Sequence, residues 1–337
     1  MKTTLRVMML SALLIGQRSV SQLLPDLGGQ RTGISSLQFL KIGVGARGCG
    51  MGESMVAVAD DISSLYWNPA GLVLDPDNGI MVAHSGWLVD MQHDFLGASY
   101  HVTPDDVLGL SVISLRTDDM PVTTETQPFG TGAYFHYSDL GIGATYARRM
   151  TSQFSFGVTA RYVEEDLATL KIQTVLFDLG THYSTGLGSL RLGVSVTNFG
   201  SDVAPHGEAT LLDGSTVSSF QSYSPPTQFK FGLAFEPYQD DDQHITTSVQ
   251  LNHPNDNAED FRFGAEYAWS GWIRFRVGLR RSIGDAWFDK SQRSADDYSF
   301  GVGVASPLAF SNVALDYSFT NFNVLGAVHR LSCSMTY

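Results

Sequence analysis

Apolar and polar residues alternate strictly along most of this chain, from Gly79 to its last residue. Residues 190–197 place leucine or valine at every even position and arginine, glycine, serine or threonine at every odd one; residues 154–162 and 273–280 repeat the scheme. Because the side chains of a strand point alternately to its two faces, this pattern predicts β-strands with one apolar face. No sustained helical period follows Gly79, so we expect antiparallel hairpins rather than βαβ units.

The alternation predicts fourteen strands. They cover residues 79–88, 92–102, 106–115, 137–149, 154–165, 175–183, 190–198, 227–235, 244–252, 260–269, 272–281, 298–305, 311–319 and 328–337. An even number of strands, each close to the length of about ten residues that a tilted spanning strand needs, is typical of a bacterial outer-membrane barrel. We therefore predict an all-β fold, namely a membrane-spanning antiparallel β-barrel of about 14 strands.

The lengths of the predicted connections favour this barrel over a soluble periplasmic β-protein, which would show the same alternation. The third, seventh and eleventh connections are long, at residues 116–136, 199–226 and 282–298. The second, fourth, sixth, tenth and twelfth are short. Short periplasmic turns opposite long outer loops are typical of transmembrane barrels. Two connections depart from the rule, because the eighth (237–243) is rather long and the first (89–91) is short.

Aromatic residues near the predicted strand ends also suit a membrane barrel. Rings at these places form interfacial girdles, with an apolar body in lipid and a polar tip in the headgroups. The candidates are Trp87, Tyr100, Tyr146, Tyr183, Trp269, Trp272 and Tyr317. The final residues, 329–337, alternate and end on Tyr337, which resembles the terminal strand signal of outer-membrane proteins.

The first residues predict export. Lys2 and Arg6 precede a short apolar run, and small residues at 19–21 offer a cleavage site, so residues 1–21 are expected to be a signal peptide. Removing the three basic residues of that segment leaves 18 basic against 34 acidic residues. This acidic balance argues against a nucleic-acid partner, since phosphate binding needs a basic face. We expect a mature N-terminal segment and plug at 22–77 and a barrel at 78–337.

A glycine-rich stretch before the barrel admits two interpretations. Gly43, Gly45 and Gly48 form G-x-G-x-x-G, followed by acids at Asp60 and Asp61, which is the outline of a dinucleotide-binding turn. That motif requires a βαβ unit around it, and the sequence after Asp61 offers none. The alternative is a plug whose glycines, with Gly50 and Gly52 added by the same stretch, permit tight packing inside a barrel.

Catalytic, cofactor and metal chemistry find no support in the sequence. Serines lack the G-x-S-x-G context, and no metal-ligand spacing occurs. Cys49 and Cys333 could pair in an exported protein, but two small free thiols are the simpler interpretation. We expect no cofactor, no metal and no enzymatic activity.

Charged residues on the polar face of several predicted strands must point into the barrel. A charge facing lipid at mid-depth costs about 2–4 kcal/mol. The predicted lumen-facing charges are Arg191, Arg262, Glu266, Arg274, Arg276 and Arg280. They are compatible with a closed, salt-bridged interior and equally with a polar path through the barrel.

The chain resembles the PorV/PorQ family of outer-membrane proteins, within the FadL-like barrel superfamily. The matching blocks are residues 39–47, 51–52, 57–61 and 66–72, with looser similarity at 146–149, 263–267, 315–317 and 331–332. The resemblance implies a fourteen-stranded barrel in the bacterial outer membrane, with an N-terminal hatch that contains short helix. It also implies that an Asn-Pro-Ala element lies in or near the hatch.

Two functions are compatible with this resemblance. PorV-like members are accessory to type IX protein secretion or to surface attachment of exported proteins, so secretion-system proteins and their cargo would be the partners, beside outer-membrane lipid. We expect this first role; the alternative is that of FadL-like members, which take up hydrophobic compounds such as long-chain fatty acids. In either case we expect the residues most directly involved to be Trp67, Asn68, Pro69, Ala70 and Gly71.

Overall fold

The computed structural model describes residues 33–337 except 212–213, 283–296 and 309–310. The predicted signal peptide, the first residues of the predicted mature segment and most of the eleventh connection therefore lie outside the described residues. Fourteen long strands form one antiparallel sheet in which each strand pairs with its neighbours along the chain. The first strand also pairs with the last, from Gly79 opposite Thr336 to Gly86 opposite His329, so that the sheet closes into a barrel.

The barrel strands, numbered in chain order, are β1 Gly79–Gly86, β2 Gln92–Thr103, β3 Asp106–Arg116, β4 Tyr137–Arg149, β5 Phe154–Leu167, β6 Leu170–Ser184, β7 Arg191–Phe199, β8 Gln228–Gln239, β9 Gln243–Pro254, β10 Asp260–Trp269, β11 Ile273–Ser282, β12 Asp297–Leu308, β13 Ser311–Asn321 and β14 Ala327–Thr336. Five two-residue strands lie in the loops, at Met120–Pro121, Tyr134–Phe135, His206–Gly207, Ala209–Thr210 and Thr216–Val217.

The fourteen predicted strands are all present. Some of them begin or end at other residues than the alternation of apolar and polar residues predicted. β6 begins at Leu170, five residues earlier than predicted, because β5 and β6 continue as a hairpin through a two-residue turn at 168–169. β8 continues past an irregularity in its pairing after Phe235 and ends at Gln239. The eighth connection is therefore short, and its predicted departure from the loop-length rule is wrong.

The two ends of the barrel differ in their connections. The even-numbered connections, among them 104–105, 150–153, 185–190, 240–242 and 270–272, all have two to six residues. The opposite end carries the long connections 117–136 and 200–227, beside shorter ones. We call these the short-turn end and the long-loop end, and in outer-membrane barrels they face the periplasm and the exterior, respectively.

The wall has the two faces that the alternation predicted. Burial alternates residue by residue along β1, and apolar side chains such as Leu110, Val277 and Val302 are exposed on the outside. Most of the predicted girdle rings are exposed near the short-turn end, at Tyr100, Tyr146, Tyr183, Trp269 and Trp272. Trp87 is different, because its ring stacks edge-on against Phe322 at the long-loop end. In the part of the chain that the structure describes, we find no helix with the length and apolarity that crossing a bilayer requires.

The segment before β1 runs through the barrel and forms a plug. At the long-loop end, Ser35 bridges to Ser224 in the connection 200–227; at the short-turn end, Asn78 accepts a hydrogen bond from the backbone of Tyr337. Between them the chain forms two α-helices, α1 Ala46–Gly50 and α2 Ser64–Trp67, and the 3-10 helices Gln38–Lys41 and Pro69–Leu74. Nearly every apolar side chain of this segment is buried against the wall, so the plug and the lumen share one core.

Two further 3-10 turns, Leu88–Asp90 and Asn323–Leu325, lie at the long-loop end on either side of the β1–β14 seam. The predicted short helix in the plug is present, although it is divided among several turns. Asn68 explains one of these divisions, because its extended backbone ends α2 and its side chain caps the next 3-10 helix at Pro69 by accepting from the Ala70 N–H.

Candidate functional site

Glycines bring the plug and the wall into direct backbone contact. A Cβ atom on Gly50 would lie 3.0 Å from the Cα atom of Gly301 on β12, and one on Gly52 would lie 2.8 Å from the backbone nitrogen of Leu279 on β11. Gly52 also has a positive φ of 65°. Larger side chains at these positions would force the plug away from the wall.

Of the other predicted packing glycines, Gly43 and Gly48 pack within the plug and Gly45 packs against the wall. A Cβ atom on Gly48 would lie 2.7 Å from the Trp67 ring, and one on Gly45 would lie 2.6 Å from Met81 on β1. A Cβ atom on Gly43 would collide with the Glu53 side chain. Each of the five glycines between residues 43 and 52 therefore lies so close to other atoms of the protein that a side chain would not fit without a shift.

Asn68 fastens the plug to itself and to the wall. Its side-chain amide donates to the Val56 carbonyl at 2.7 Å and to the Thr181 carbonyl on β6 at 3.1 Å. Its side-chain oxygen accepts from the Ala70 N–H at 3.1 Å. A Cβ atom on Gly180, the wall residue opposite, would collide with Asn68, so the amide has a fixed place.

The residues around Asn68 are enclosed in the same way. Trp67 is 2% exposed and stacks edge-on against Tyr66, with 4.7 Å between the ring centres. Pro69 packs on Gly157 of β5, and the Ala70 carbonyl accepts from the Ser155 hydroxyl at 2.9 Å. Of the predicted ligand or plug candidates, Asn68, Pro69 and Ala70 thus contact the wall, whereas Trp67 and Gly71 are buried against other plug residues.

A network of charges, which runs from the exposed Asp60 to the buried Glu266 and Arg276, fastens the opposite side of the plug. Arg47 of α1 contacts Asp60 at 2.6 Å, Asp61 at 2.7 Å and Glu266 of β10 at 3.1 Å. Glu266 continues the network to Arg276 of β11 at 2.5 Å. Burial alone would raise the pKa of the Asp61 carboxyl, but Arg47 and the Ser63 hydrogen bonds outweigh it and hold that pKa below its usual value.

Arg276 then reaches Asp316 of β13 at 2.6 Å. The network thus joins the plug to β10, β11 and β13. We call the set Arg47, Asp60, Asp61, Glu266, Arg276 and Asp316 the plug ion network.

Of the remaining predicted lumen charges, Arg274 lines a cavity at the short-turn end, and the other three lie near carboxylates. Arg191 pairs with Glu236 at 2.6 Å and donates to the Ala57 carbonyl of the plug at 3.1 Å. Arg262 pairs with Asp260 at 2.7 Å and with Glu53 of the plug. Arg280 lies 3.5 Å from Asp260. Of the two interpretations of these charges, the geometry therefore supports a closed, salt-bridged interior.

Sequence reasoning missed the plug side of these pairs, including Arg47 and Glu53. It also missed the buried pair Arg161–Asp178, at 2.8 Å, on neighbouring strands β5 and β6. A signal was present, because charges on the lumen face of a strand need opposite charges in an interior of low dielectric. The glycine-rich segment contains some of these partners, and neighbouring strands supply the others.

Open space is found at the two ends of the barrel. A cavity of about 640 Å³ opens at the short-turn end, lined among others by Asp60, Asp75, Trp272 and Arg274. Burial raises the pKa of the Asp75 carboxyl to about 6, against the effect of a hydrogen bond from the Asp77 N–H. A shallow groove of about 650 Å³ lies at the long-loop end beside Trp87. Neither space is lined by residues 67–71.

The two cysteines are not disulfide-bonded, and their surroundings differ. Cys49 is buried in α1, where burial raises the pKa of its thiol to about 12. Cys333 is exposed on β14, on the face that carries the apolar band. Within the described residues, we find no cluster of three or more His, Cys, Asp or Glu side chains that could hold a metal ion.

Comparisons with known proteins agree with this architecture. The profile of the family described as type IX secretion system protein PorV matches residues 28–254. A search of curated proteins finds no match. Similar solved structures include the Pseudomonas putida toluene transporter TodX, at 12% identity over 91% of this chain and 99% of that chain, with a TM-score of 0.57.

The Ralstonia pickettii toluene transporter TbuX is similar at 12% identity over 88% of this chain and 97% of that chain, with a TM-score of 0.54. A Pseudomonas aeruginosa FadL homologue is similar at 11% identity over 87% of this chain and 98% of that chain, with a TM-score of 0.53. At these identities the likeness shows the fold alone. These solved structures therefore support the barrel fold, while the family is given by the profile match.

Proposed function

We propose, from the premise that this chain belongs to the PorV family, that it is an accessory of type IX protein secretion or of the surface attachment of exported proteins. In this role the barrel is a fixed platform in the outer membrane and has no catalytic activity. Its partners would be secretion-system proteins and the proteins that they export. The observation that carries the proposal, beyond family membership, is that the plug fills the lumen.

The plug leaves little room for a route through the barrel. Asn68 is fully buried, its three hydrogen bonds go to protein atoms, and wall glycines abut it and Pro69. On the opposite side, the plug ion network would have to separate buried charges before the plug could move. Separating such a pair without a replacement partner costs about 3–5 kcal/mol.

The long-loop end is the surface that suits a platform. The connection 117–136 carries its own small hairpin, in which Met120–Pro121 pairs with Tyr134–Phe135, and most of its side chains are exposed. The connection 200–227 is held against the wall and the plug, by His206–Gly207 pairing with β6 and by Ser35. One loop is thus free to contact a partner, while the other is part of the rigid base.

Uptake of hydrophobic compounds is the alternative, and the fold favours it as far as fold alone can. The structures named above as toluene transporters are similar to this fold, with TM-scores of 0.54 and 0.57. Transport through this chain would require an apolar passage beside Asn68. The space around Asn68 is instead filled by other atoms of this chain, which counts against that function.

Parallel assays on one set of strains would decide between the two. Cells that lack this chain should lose surface-exposed exported proteins, measured by protease shaving of intact cells, while uptake of radiolabelled oleate and toluene stays unchanged. Replacing residues 120–135 by a short Gly-Ser turn should leave a heat-modifiable barrel but reduce the display of exported proteins. Replacement of the exposed periplasmic turn 240–242 by the same Gly-Ser sequence is the control. Normal display together with lost uptake in the deletion strain would refute the proposal.

A further inference from the structure

The outward face of the wall carries charged side chains on β1, β2 and β3. His84 of β1 lies 2.6 Å from Asp94 of β2, which lies 3.1 Å from Arg116 of β3. The side chains of His84 and Arg116 are more than half exposed. All three occupy outward positions of the alternation, in line with apolar side chains such as Val82 and Leu96. These charges therefore stand on the side of the wall that faces the membrane.

The apolar part of this outward face is shorter on β1 than elsewhere. Two outward side chains, Ile80 and Val82, precede His84 on β1, whereas five apolar or aromatic ones follow one another on β5 and on β10. These are Phe154, Phe156, Val158, Ala160 and Tyr162 on β5, and Phe261, Phe263, Ala265, Tyr267 and Trp269 on β10. Successive outward side chains are about 5 Å apart along the membrane normal, so the difference is about 15 Å. Because charges facing hydrocarbon at mid-depth cost about 2–4 kcal/mol, those on β1–β3 require a polar neighbour.

A groove at the long-loop end continues from these charges. Its volume is about 650 Å³, within the range of about 300–1,000 Å³ that is common for small-molecule sites. His84 and Gln92 occupy outward positions of their strands, so the groove opens beside the outer leaflet. The lining residues are His84, Gly86, Trp87, Asp90, Met91, Gln92 and Asp118.

The turn that supplies Asp90 to the groove is strained. Val89 and Asp90 both have a positive φ, of 57° and 59°. For a β-branched residue such as Val89 this conformation is an outlier that costs about 1–3 kcal/mol. Val89 is 89% exposed, so burial of its side chain does not offset the cost. Strain of this kind is retained where it positions groups at functional sites, and here it positions Asp90 on the groove.

The lining of the groove has the chemistry of a saccharide site. Asp90 and Asp118 are exposed and make no hydrogen bond or ion pair with the described residues, so their oxygens can accept from hydroxyl groups. The Gln92 oxygen accepts from Arg116 at 2.9 Å, which leaves its amide to donate. The Trp87 ring offers an apolar surface with a polar N–H. Sugar hydroxyls both donate and accept, and the C–H face of a sugar ring packs on aromatic rings.

Other ligand classes suit the groove less well. Two unpaired carboxylates repel a phosphate, and the polar lining offers no slot for an acyl chain alone. In the part of the chain that the structure describes, no three His, Cys, Asp or Glu side chains lie close enough to hold a metal ion.

We propose that the groove binds the saccharide headgroup of a glycolipid in the outer leaflet, with the acyl chains lying against Val82, Leu96 and Val112 below it. The headgroup supplies the polar neighbour that His84, Asp94 and Arg116 require. A glycolipid fits better than a free sugar because the groove continues directly into the membrane-facing wall. The inference goes beyond the secretion role and does not depend on it.

The test is native mass spectrometry of the purified protein in detergent, with lipopolysaccharide as the probe. One molecule should stay bound per barrel, with an affinity at least tenfold above that for phosphatidylethanolamine, which has acyl chains but no saccharide. The saccharide released from the same lipopolysaccharide should compete at least tenfold more weakly than the intact glycolipid. Equal binding of the two lipids, or equal competition by the released saccharide, would overturn the proposal.

A double variant assigns the binding to the groove. Asp90→Gly with Asp118→Ala removes both free carboxylates, and glycine accepts the positive φ at position 90. We expect at least a tenfold loss of lipopolysaccharide affinity with unchanged heat-modifiable migration. Glu125→Gln, at an exposed position of the same connection as Asp118, is the control and should bind like the wild type. Wild-type affinity in the double variant, or a dimer in place of the glycolipid complex that the double variant abolishes, would refute the assignment.

Discussion

The plug is attached to the barrel in two different ways on its two sides. Toward β5–β8 the attachment is mainly steric: Asn68, Pro69 and Val56 press on wall glycines such as Gly180 and Gly193, and Arg191 adds a hydrogen bond to the Ala57 carbonyl. Toward β10–β13 the plug ion network supplies the attachment, with glycine contacts beside it. One side depends on shape and backbone hydrogen bonds, and the other on paired charges. The difference shows that a lumen can be closed by sterics and by electrostatics within one small segment.

Removing the central carboxylate of the charged side should have the largest effect. Glu266→Leu removes a carboxylate that both Arg47 and Arg276 contact in the barrel interior. We therefore expect a loss of about 3–5 kcal/mol in the free energy of unfolding. The measurement is the midpoint of the heat-induced mobility shift on gels. Glu125→Leu, at an exposed position in the connection 117–136, is the control and should change little. An effect as small as that of the control would show that the network does not hold the plug.

Filling a glycine contact should break the uncharged side nearly as strongly. Gly180→Val places side-chain atoms where Asn68 and Pro69 lie, and overpacking against a backbone costs about 3 kcal/mol. Limited proteolysis of the purified barrel would show whether the plug is released. Gly86→Val is the matched control, because a Cβ atom on that strand glycine meets no described atom within 4 Å. Equal behaviour of the two variants would contradict the steric account.

Changing the polar group of Asn68 tests the hydrogen bonds on the same side. Asn68→Ala leaves the Val56 and Thr181 carbonyls unpaired, and we expect a loss of about 2 kcal/mol in the free energy of unfolding. Asn68→Asp should lose more, because a carboxylate cannot donate to those carbonyls. The order of the two variants in chemical unfolding is the decisive observation. A more stable Asp than Ala variant would mean that capping of Ala70 dominates.

The smallest effect concerns Asp75, where the plug leaves the short-turn end. Its pKa is raised to about 6 in the folded state, so the folded state binds more protons and stability falls as pH rises from about 4 to about 6. Because Asp75 is only half-buried, we expect less than about 1 kcal/mol over this range. Asp75→Asn should remove this part of the pH dependence, measured by unfolding at a series of pH values. Asp241→Asn, at an exposed turn of the same end, should not.

The barrel could be predicted because its signal is local. A period of two fixes the faces of a strand such as residues 190–197 without knowledge of its neighbours. The partners in the lumen could not be predicted in the same way, because Arg47 and Glu266 are 219 residues apart. Only the closed sheet brings them together, and the sequence shows each charge without its partner.

Trp87 shows that the alternation of residues does not predict the direction of a side chain beyond the end of a strand. It follows Gly86, the last residue of β1, where the alternation no longer determines the direction of a side chain. Its ring therefore lies over Arg330 and Phe322 rather than in the lipid girdle. Residues 67–71 were identified as a motif, but their burial depends on Gly157 and Gly180, which lie on strands far along the sequence.

The direction of the plug has a mechanical consequence. The chain is covalently continuous with β1 at the short-turn end, and its first described residues are at the long-loop end, where Lys41 is held by Asp256 at 2.8 Å. A force applied before Gly33 would load the contacts in series, beginning with the bridge between Ser35 and Ser224, continuing to Lys41 and moving inward one attachment at a time. A force applied at Asn78 would instead load β1 and its pairing with β14. We therefore expect the plug to detach under a lower force when it is pulled from its first described residues than when it is pulled at Asn78.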